Sequence, residues 1–218
     1  QDIIEQKDVL QSKHDEWIRN ASLVSTREPS WQSLEALVSH APDDPDLEEL
    51  KRETTAILEN RLLLQEPDPV QPLLNSIHDK LLGLLNARKK HYNSIYEDKM
   101  ANLQANEYFK KLSPEEKHVI LNRHQLLAKQ EIKDLDVHAL LNHLNKLSFY
   151  NWDTKIAALP SQFQAALDEA ILEAAPEAKS YSLPRTTISS HAELDSYISR
   201  LKTELETILK DGSSIILK

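Results

Sequence analysis

The stretch LLNSIHDKLLGLLNARKKHYNSIYEDKMANL, running from Leu73 to Leu103, decides how this chain is read. Within it Leu74, Ile77, Leu81, Leu84, Arg88, Tyr92, Ile95, Lys99 and Leu103 follow one another at intervals of three or four residues. That spacing holds side chains on one face of a 3.6-residue helix, and when sustained it is the seam of a coiled coil. The pattern spans about Val70–Leu112 and becomes less apolar after Leu85. A helix of about forty residues is roughly 60 Å long at 1.5 Å per residue, so it is expected to project beyond a compact core.

Working outward, prolines divide the rest of the chain. Residues 2–25 read as a helix with Ile4, Val9, Leu10, Trp17 and Ile18 as inward positions. Glu28-Pro29-Ser30 is expected to end it, with Ser30 capping a short helix to about His40. Ala41 to Pro45 breaks the chain again, before a helix over roughly Asp46–Gln65. Its face carries Leu47, Leu50, Thr54, Ile57, Leu58, Arg61 and Leu62, and Glu66-Pro67-Asp68-Pro69 stops it.

Downstream of the long segment, Ser113-Pro114-Glu115-Glu116 is a helix start. It has a capping serine, proline at the first turn, acids on the dipole and the spacing of a capping box. That helix is expected to run to about Lys129, and another to occupy roughly Asp136–Leu147. From Tyr150 to Ala175, Trp152, Ile156, Leu159, Phe163, Leu167, Ala170 and Ala174 form a second stripe, with Pro160 expected to restart or kink the helix. The two stripes are expected to pair as an antiparallel coiled coil with the short helices at its tip. Lys179–Pro184 and Ser214–Leu217 read as short strands around an amphipathic helix, Ser190–Lys210, closed by Asp211-Gly212. A strand–helix–strand order implies a parallel pair with a right-handed crossover.

The expected architecture is therefore mainly α. An N-terminal helical segment covers 1–69, a coiled-coil arm covers 70–178 with a helical tip over 113–147, and a small βαβ-like cap covers 179–218.

Composition narrows function by exclusion. Of 218 residues, Gly83 and Gly212 are the two glycines, and there is no cysteine. Glycine-rich phosphate loops, the dinucleotide fingerprint, the serine-hydrolase elbow and thiolate zinc sites all need residues this chain lacks. Aromatics are 6%, so Leu, Ile and Ala must supply most of the packing. No run of eighteen apolar residues is present, so no membrane span is expected. Absent cysteine fits a reducing compartment, and the expected location is cytoplasmic. Opening at Gln1 directly on a helical pattern, the sequence reads as a piece of a longer polypeptide.

Net charge is −9, unevenly distributed. Residues 1–66 carry seven Lys/Arg against fifteen Asp/Glu, whereas Lys80 to Lys133 carry eleven against six. The overall acidity opposes non-specific nucleic-acid binding, while the basic middle keeps a local form of it open. Arg88-Lys89-Lys90-His91 and Lys110-Lys111 are the basic clusters, with Tyr92, Tyr96, Tyr108 and Phe109 interleaved. A solvated helix surface is the favoured reading; contact with nucleic acid or an acidic protein is the functional one. Leu103 is expected to be an exposed seam residue available to another subunit.

No catalytic or metal constellation is expected. His118 and His124 are six apart and His138 and His143 five apart, spacings that do not stack ligands on one helical face. Adjacent acids such as Glu48/Glu49 and Glu115/Glu116 diverge by about 100° and suit helix starts.

One resemblance goes further. Asn106-Glu107-Tyr108-Phe109-Lys110-Lys111-Leu112-Ser113-Pro114-Glu115-Glu116-Lys117 is followed by Ile120-Leu121 and His124-Gln125-Leu126. Tyr181-Ser182-Leu183-Pro184-Arg185-Thr186-Thr187, Glu193-Leu194-Asp195, Gly212 and Ile215-Ile216-Leu217 come later. In this order, over roughly residues 70–218, they resemble the C-terminal region of the large P-loop ATPase of bacteriophage-exclusion (BREX) defence systems. The resemblance implies a non-catalytic scaffold or docking piece of an ATPase, without its nucleotide site and without a cofactor. Implied partners are the other proteins of a phage-defence complex, which includes a methyltransferase and a phosphatase-like component, or the rest of its own chain. A DNA-contacting basic arm and a homo-oligomerisation coiled coil are the alternatives. No functional residue transfers; Arg88, Lys89, Lys90, Leu103, Lys110 and Lys111 are the candidate contacts.

Overall fold

The computed structural model describes residues 2–174, 179–184, 186–210 and 215–217. Its helices are α1 (Asp2–His40), α2 (Pro45–Glu59), α3 (Val70–Ala105), α4 (Glu107–Lys111), α5 (Pro114–Arg123), α6 (Val137–Lys146), α7 (Phe149–Ala174) and α8 (His191–Lys210). Two short segments, β1 (Lys179–Tyr181) and β2 (Ile215–Leu217), complete it, and the protein is mainly α. The chain divides into two compact units, residues 1–91 with 131–156 and residues 92–130 with 157–218.

Several helix ends follow directly from local chemistry. Asp44 caps α2 by accepting from the backbone N–H groups of Asp46 and Leu47. Ser113 and Glu116 form a reciprocal capping box on α5, and this pair of hydrogen bonds holds the Glu116 carboxyl below the usual range. Asp136 caps α6 through the N–H of Ala139.

Other boundaries depart from expectation. Pro29 does not end α1, which continues to His40. Proline removes one backbone donor, but the following turns bury Trp31, Leu34 and Leu37, and that burial outweighs a single lost hydrogen bond. Likewise α7 continues through Pro160. The long segment stops at Ala105 rather than Leu112, because Asn106 turns its side chain onto the N–H groups of Tyr108 and Phe109 and caps a new helix. α5 stops at Arg123 rather than Lys129, with Gln125 in the left-handed region at φ 59°.

In the first unit the core comprises Trp31, Leu34 and Leu37 of α1, Leu47 and Ile57 of α2, Leu74, Ile77, Leu81 and Leu85 of α3, and Leu140 and Leu144 of α6. Phe149, Trp152 and Ile156 at the start of α7 complete it. Arg88 joins α3 to α7 by two hydrogen bonds to the Asp153 carboxylate, at 2.9 and 3.1 Å, and its guanidinium lies 4.8 Å from the Phe149 ring centroid. His78 Nε2 lies 2.8 Å from the Leu135 carbonyl oxygen, which ties the chain ahead of α6 to α3.

In the second unit, residues 125–130 form no helix and run back along α3. Tyr96 donates its hydroxyl to the Leu126 carbonyl at 2.6 Å. Asn93 donates to the Gln130 carbonyl at 2.8 Å and accepts the Gln130 N–H at 2.7 Å, acting as a one-residue substitute for a strand neighbour. Tyr96 also packs edge-on against Phe163 of α7, with ring centroids 5.5 Å apart.

These contacts overturn the antiparallel arm. The N-terminal half of α3 shares a unit with the start of α7, and its C-terminal half shares the other unit with the rest of α7. An antiparallel hairpin would pair opposite halves, so α3 and α7 run in the same direction. Residues 113–130 belong to the second unit and 131–147 to the first. The physical reason is the return segment, which brings the chain back along α3 before α7 begins.

The buried line on α3 differs accordingly. It takes Leu74, Ile77, Leu81, Leu85, Lys89, Tyr92, Tyr96 and Leu103, with Leu85, Lys89 and Tyr96 in place of Leu84, Arg88 and Ile95. Two successive steps of four after Leu81 rotate the line by about 40° each relative to a straight stripe.

At the C-terminus β1 and β2 pair in parallel, Lys179 with Ile215, Ser180 with Ile216 and Tyr181 with Leu217. Three residues on each side make no layer, and no residue of α8 is buried, so the segment is not the packed cap expected for residues 179–218. The closing turn expected at Asp211-Gly212 lies outside the described residues.

The Asn93 bridge gives a direct test of the return segment. Asn93→Leu leaves both backbone groups of Gln130 without their partner and should destabilise the protein by about 1–3 kcal/mol in urea unfolding. Asn93→Asp, which retains the acceptor, should be milder.

Candidate docking surface

A series of exposed large apolar side chains lies on α1. Leu10, Trp17, Val24 and Trp31 recur every seven residues, the interval at which positions superpose on a coiled-coil seam. Trp31 is buried, yet Trp17 is 68% exposed and Leu10 67%, with Val9, Ile18 and Val24 also exposed. The sequence pattern placed Val9, Leu10, Trp17 and Ile18 inward; the structure places them outward. Amphipathic spacing identifies a face that is suited to burial but does not say what buries it.

Arg27 marks where α1 enters the core. Its side chain, only 6% exposed, donates to the carbonyls of Leu63 at 2.7 Å and Gln65 at 2.8 Å and to the Glu66 carboxylate at 2.9 Å. Asp68 adds a further contact at 3.6 Å. A planar guanidinium can satisfy several acceptors at once, which a lysine at this position could not. The 63–68 segment is thus fastened to α1 where the exposed line ends.

A cavity of about 400 Å³ lies at this junction, lined by Val24, Arg27, Glu28, Trp31, Leu58, Arg61, Leu63 and Leu64. Asn60 ends α2, Arg61 adopts φ 54°, and the Leu62 N–H returns to the Ile57 carbonyl at 2.8 Å. This turn carries Leu63 and Leu64 to the cavity wall. The outward line of α1 therefore leads from Leu10 through Trp17 and Val24 into an apolar recess.

The six residues singled out by sequence separate sharply. Leu103 is 3% exposed and shares a groove of about 300 Å³ with Pro160, Phe163 and Leu167 of α7, so it is a packing residue rather than a free seam contact. Lys89 is 5% exposed, and burial pulls its ammonium below the usual lysine range. Arg88 is engaged with Asp153 and Phe149. Lys90, Lys110 and Lys111 remain exposed, with the Lys111 ammonium 5.3 Å from the Tyr108 ring centroid. The interleaved aromatics turn inward: Tyr92, Tyr96 and Phe109 are buried, and burial raises the phenol pKa values of Tyr92 and Tyr96.

Among the described residues, no group of three or more His, Asp and Glu side chains converges as a metal site, and no helix is long and apolar enough to cross a membrane. Comparison with protein-family models, curated proteins and solved structures finds no match to this chain.

Burial decides the effect of two apolar substitutions. Leu103→Glu places a carboxylate in a packed groove and should lower stability by about 3 kcal/mol or more. Trp17→Ser should stay within about 0.5 kcal/mol of the parent, because its indole faces solvent. Equal losses in chemical denaturation would show that the α1 face is packed.

Proposed function

We propose that this chain is a non-catalytic docking module of a phage-defence complex of the BREX type, a C-terminal piece of its large ATPase. The observation that carries the docking reading is the outward apolar line Leu10–Trp17–Val24 on α1. An exposed tryptophan at heptad spacing is the usual anchor of helix-in-groove recognition, contributing large apolar contact at small entropic cost. The recess at Trp31 extends that line, so a partner helix would lie along α1 and end over Leu58 and Leu63. The assignment to a defence system rests on the resemblance of the Asn106–Lys117 stretch with Ile120-Leu121 and His124-Gln125-Leu126, and of Tyr181–Thr187 with Glu193-Leu194-Asp195, Gly212 and Ile215-Ile216-Leu217.

The nucleic-acid alternative has less support. Its basic cluster reduces to Lys90, Lys110 and Lys111 once Arg88 is paired and Lys89 buried. A phosphate-tracking groove needs several exposed cations together with accessible aromatic faces, and Tyr92 and Tyr96 are both buried.

Capture by the purified proteins of a BREX-type complex tests the proposal. The parent chain should be retained, and Leu10→Glu combined with Trp17→Glu should lose retention by at least about tenfold at unchanged helicity. Retention that ignores this double substitution, or that falls steeply with salt and with Lys90, Lys110 and Lys111 neutralised, would overturn it.

A further inference from the structure

Arg61 stands where a helix end usually places glycine. The Leu62 N–H returns to the Ile57 carbonyl at 2.8 Å and the Arg61 N–H to the Leu58 carbonyl at 3.1 Å, the paired hydrogen bonds of a Schellman motif closing α2. That motif sets the first residue beyond its cap in the left-handed region, and Arg61 takes φ 54° there. Glycine adopts this conformation without a Cβ clash, so an arginine here works against its own backbone. Nothing within the chain offsets that cost: among the described residues, the Arg61 guanidinium has no hydrogen-bond or ion-pair partner. Its side chain instead lines the cavity between α1 and the end of α2.

At about 400 Å³ this cavity has the size of a small-molecule site, and its body is apolar, formed by Val24, Trp31, Leu58, Leu63 and Leu64. Three charged residues line it as well. Arg27 is already satisfied by the Leu63 and Gln65 carbonyls and neutralised by Glu66 at 2.9 Å and Asp68 at 3.6 Å. Glu28 and Arg61 remain, both exposed. Glu28 accepts from Gln32 Nε2 at 3.2 Å, which leaves most of its acceptor capacity open. Among the described residues, neither Glu28 nor Arg61 is ion-paired, with the other or with a third group. A ligand bearing a negative charge alone would be repelled by Glu28, and one bearing a positive charge alone by Arg61. A ligand that carries both charges beside an apolar group is complementary to the whole lining.

We propose that this recess binds a free α-amino acid with a large apolar side chain. The side chain fills the recess against Trp31 and Leu63, the α-carboxylate accepts from the Arg61 guanidinium, and the α-ammonium donates to the Glu28 carboxylate. A residue inside a polypeptide has neither charge, so the site distinguishes a free amino acid from a partner's chain. The α1 docking line ends at the same recess, but the proposal stands on the α1–α2 junction alone and does not rest on the docking reading.

The test titrates the full chain, with no partner present, and follows the Trp31 indole N–H resonance, assigned with Trp31→Phe. The probes are L-phenylalanine, 3-phenylpropanoate, 2-phenylethylamine and N-acetyl-L-phenylalaninamide. L-Phenylalanine should shift the resonance saturably, and each of the other three should bind at least about tenfold more weakly. Arg61→Gly should melt no lower than the parent, because glycine relieves the left-handed backbone. It should nevertheless bind L-phenylalanine no more tightly than 2-phenylethylamine. Glu28→Gln should likewise erase the preference over 3-phenylpropanoate. No saturable shift with L-phenylalanine, equal binding of all four compounds, or full L-phenylalanine affinity in Arg61→Gly would overturn the proposal. Any of these results would leave partner capture through Leu10 and Trp17 standing, since that is measured separately.

Discussion

The arrangement of this protein depends on how residues 124–136 satisfy their backbone after leaving a helix. A non-helical segment packed against a core cannot leave its N–H and C=O groups unpaired, and a sheet neighbour is absent here. Side chains of α3 substitute for one: Asn93 bridges both groups of Gln130, Tyr96 takes the Leu126 carbonyl, and His78 meets the Leu135 carbonyl. These bonds carry the chain back along α3 in each unit before α6 and α7 form. Without the return, α7 would start at the far end of α3 and the two would make the hairpin that their apolar stripes suggest.

The same constraint explains the chemistry of the buried line. Tyr92, Tyr96 and Lys89 occupy positions that a helix–helix seam would give to Leu or Ile, because α3 faces polar backbone as well as α7. Tyrosine suits such a place, offering a packing ring and a hydroxyl that reaches a carbonyl. Asn86 on α3 and His143 on α6 each bury a polar atom, Oδ1 and Nε2, that has no hydrogen-bond partner among the described residues. In the first unit Arg27 fastens α1 to Leu63 and Gln65, and the turns before it expose Leu10, Trp17 and Val24.

Local signals were legible in the sequence and non-local ones were not. Ser113-Pro114-Glu115-Glu116, Asp136 and the Pro42–Pro45 and Pro67–Pro69 breaks each act within one turn of chain, and the helices begin beside them as read. Pro29 was misleading because the burial of Trp31, Leu34 and Leu37 operates through tertiary contact. The direction of α7 was hidden, since two apolar stripes are compatible with either sense of pairing. Of the candidate site, the heptad Leu10–Trp17–Val24–Trp31 was present in the pattern but read as core, because periodicity records amphipathicity and not its partner. Leu103 was misread in the opposite sense, its groove being completed by Phe163 and Leu167 from far along the chain.

The direction of α3 relative to α7 is the claim on which the rest stands, and the absence of native cysteine makes it directly measurable. Arg88→Cys combined with Asp153→Cys, spin-labelled and measured by dipolar spectroscopy, should give a distance at the short limit of the method, since the native side chains hydrogen-bond. An antiparallel hairpin would offset the two positions by about twelve residues along the axis, roughly 18 Å at 1.5 Å per residue, in addition to the label linkers. A short, narrow distribution supports helices running in the same direction; a distribution centred beyond that offset would contradict the account.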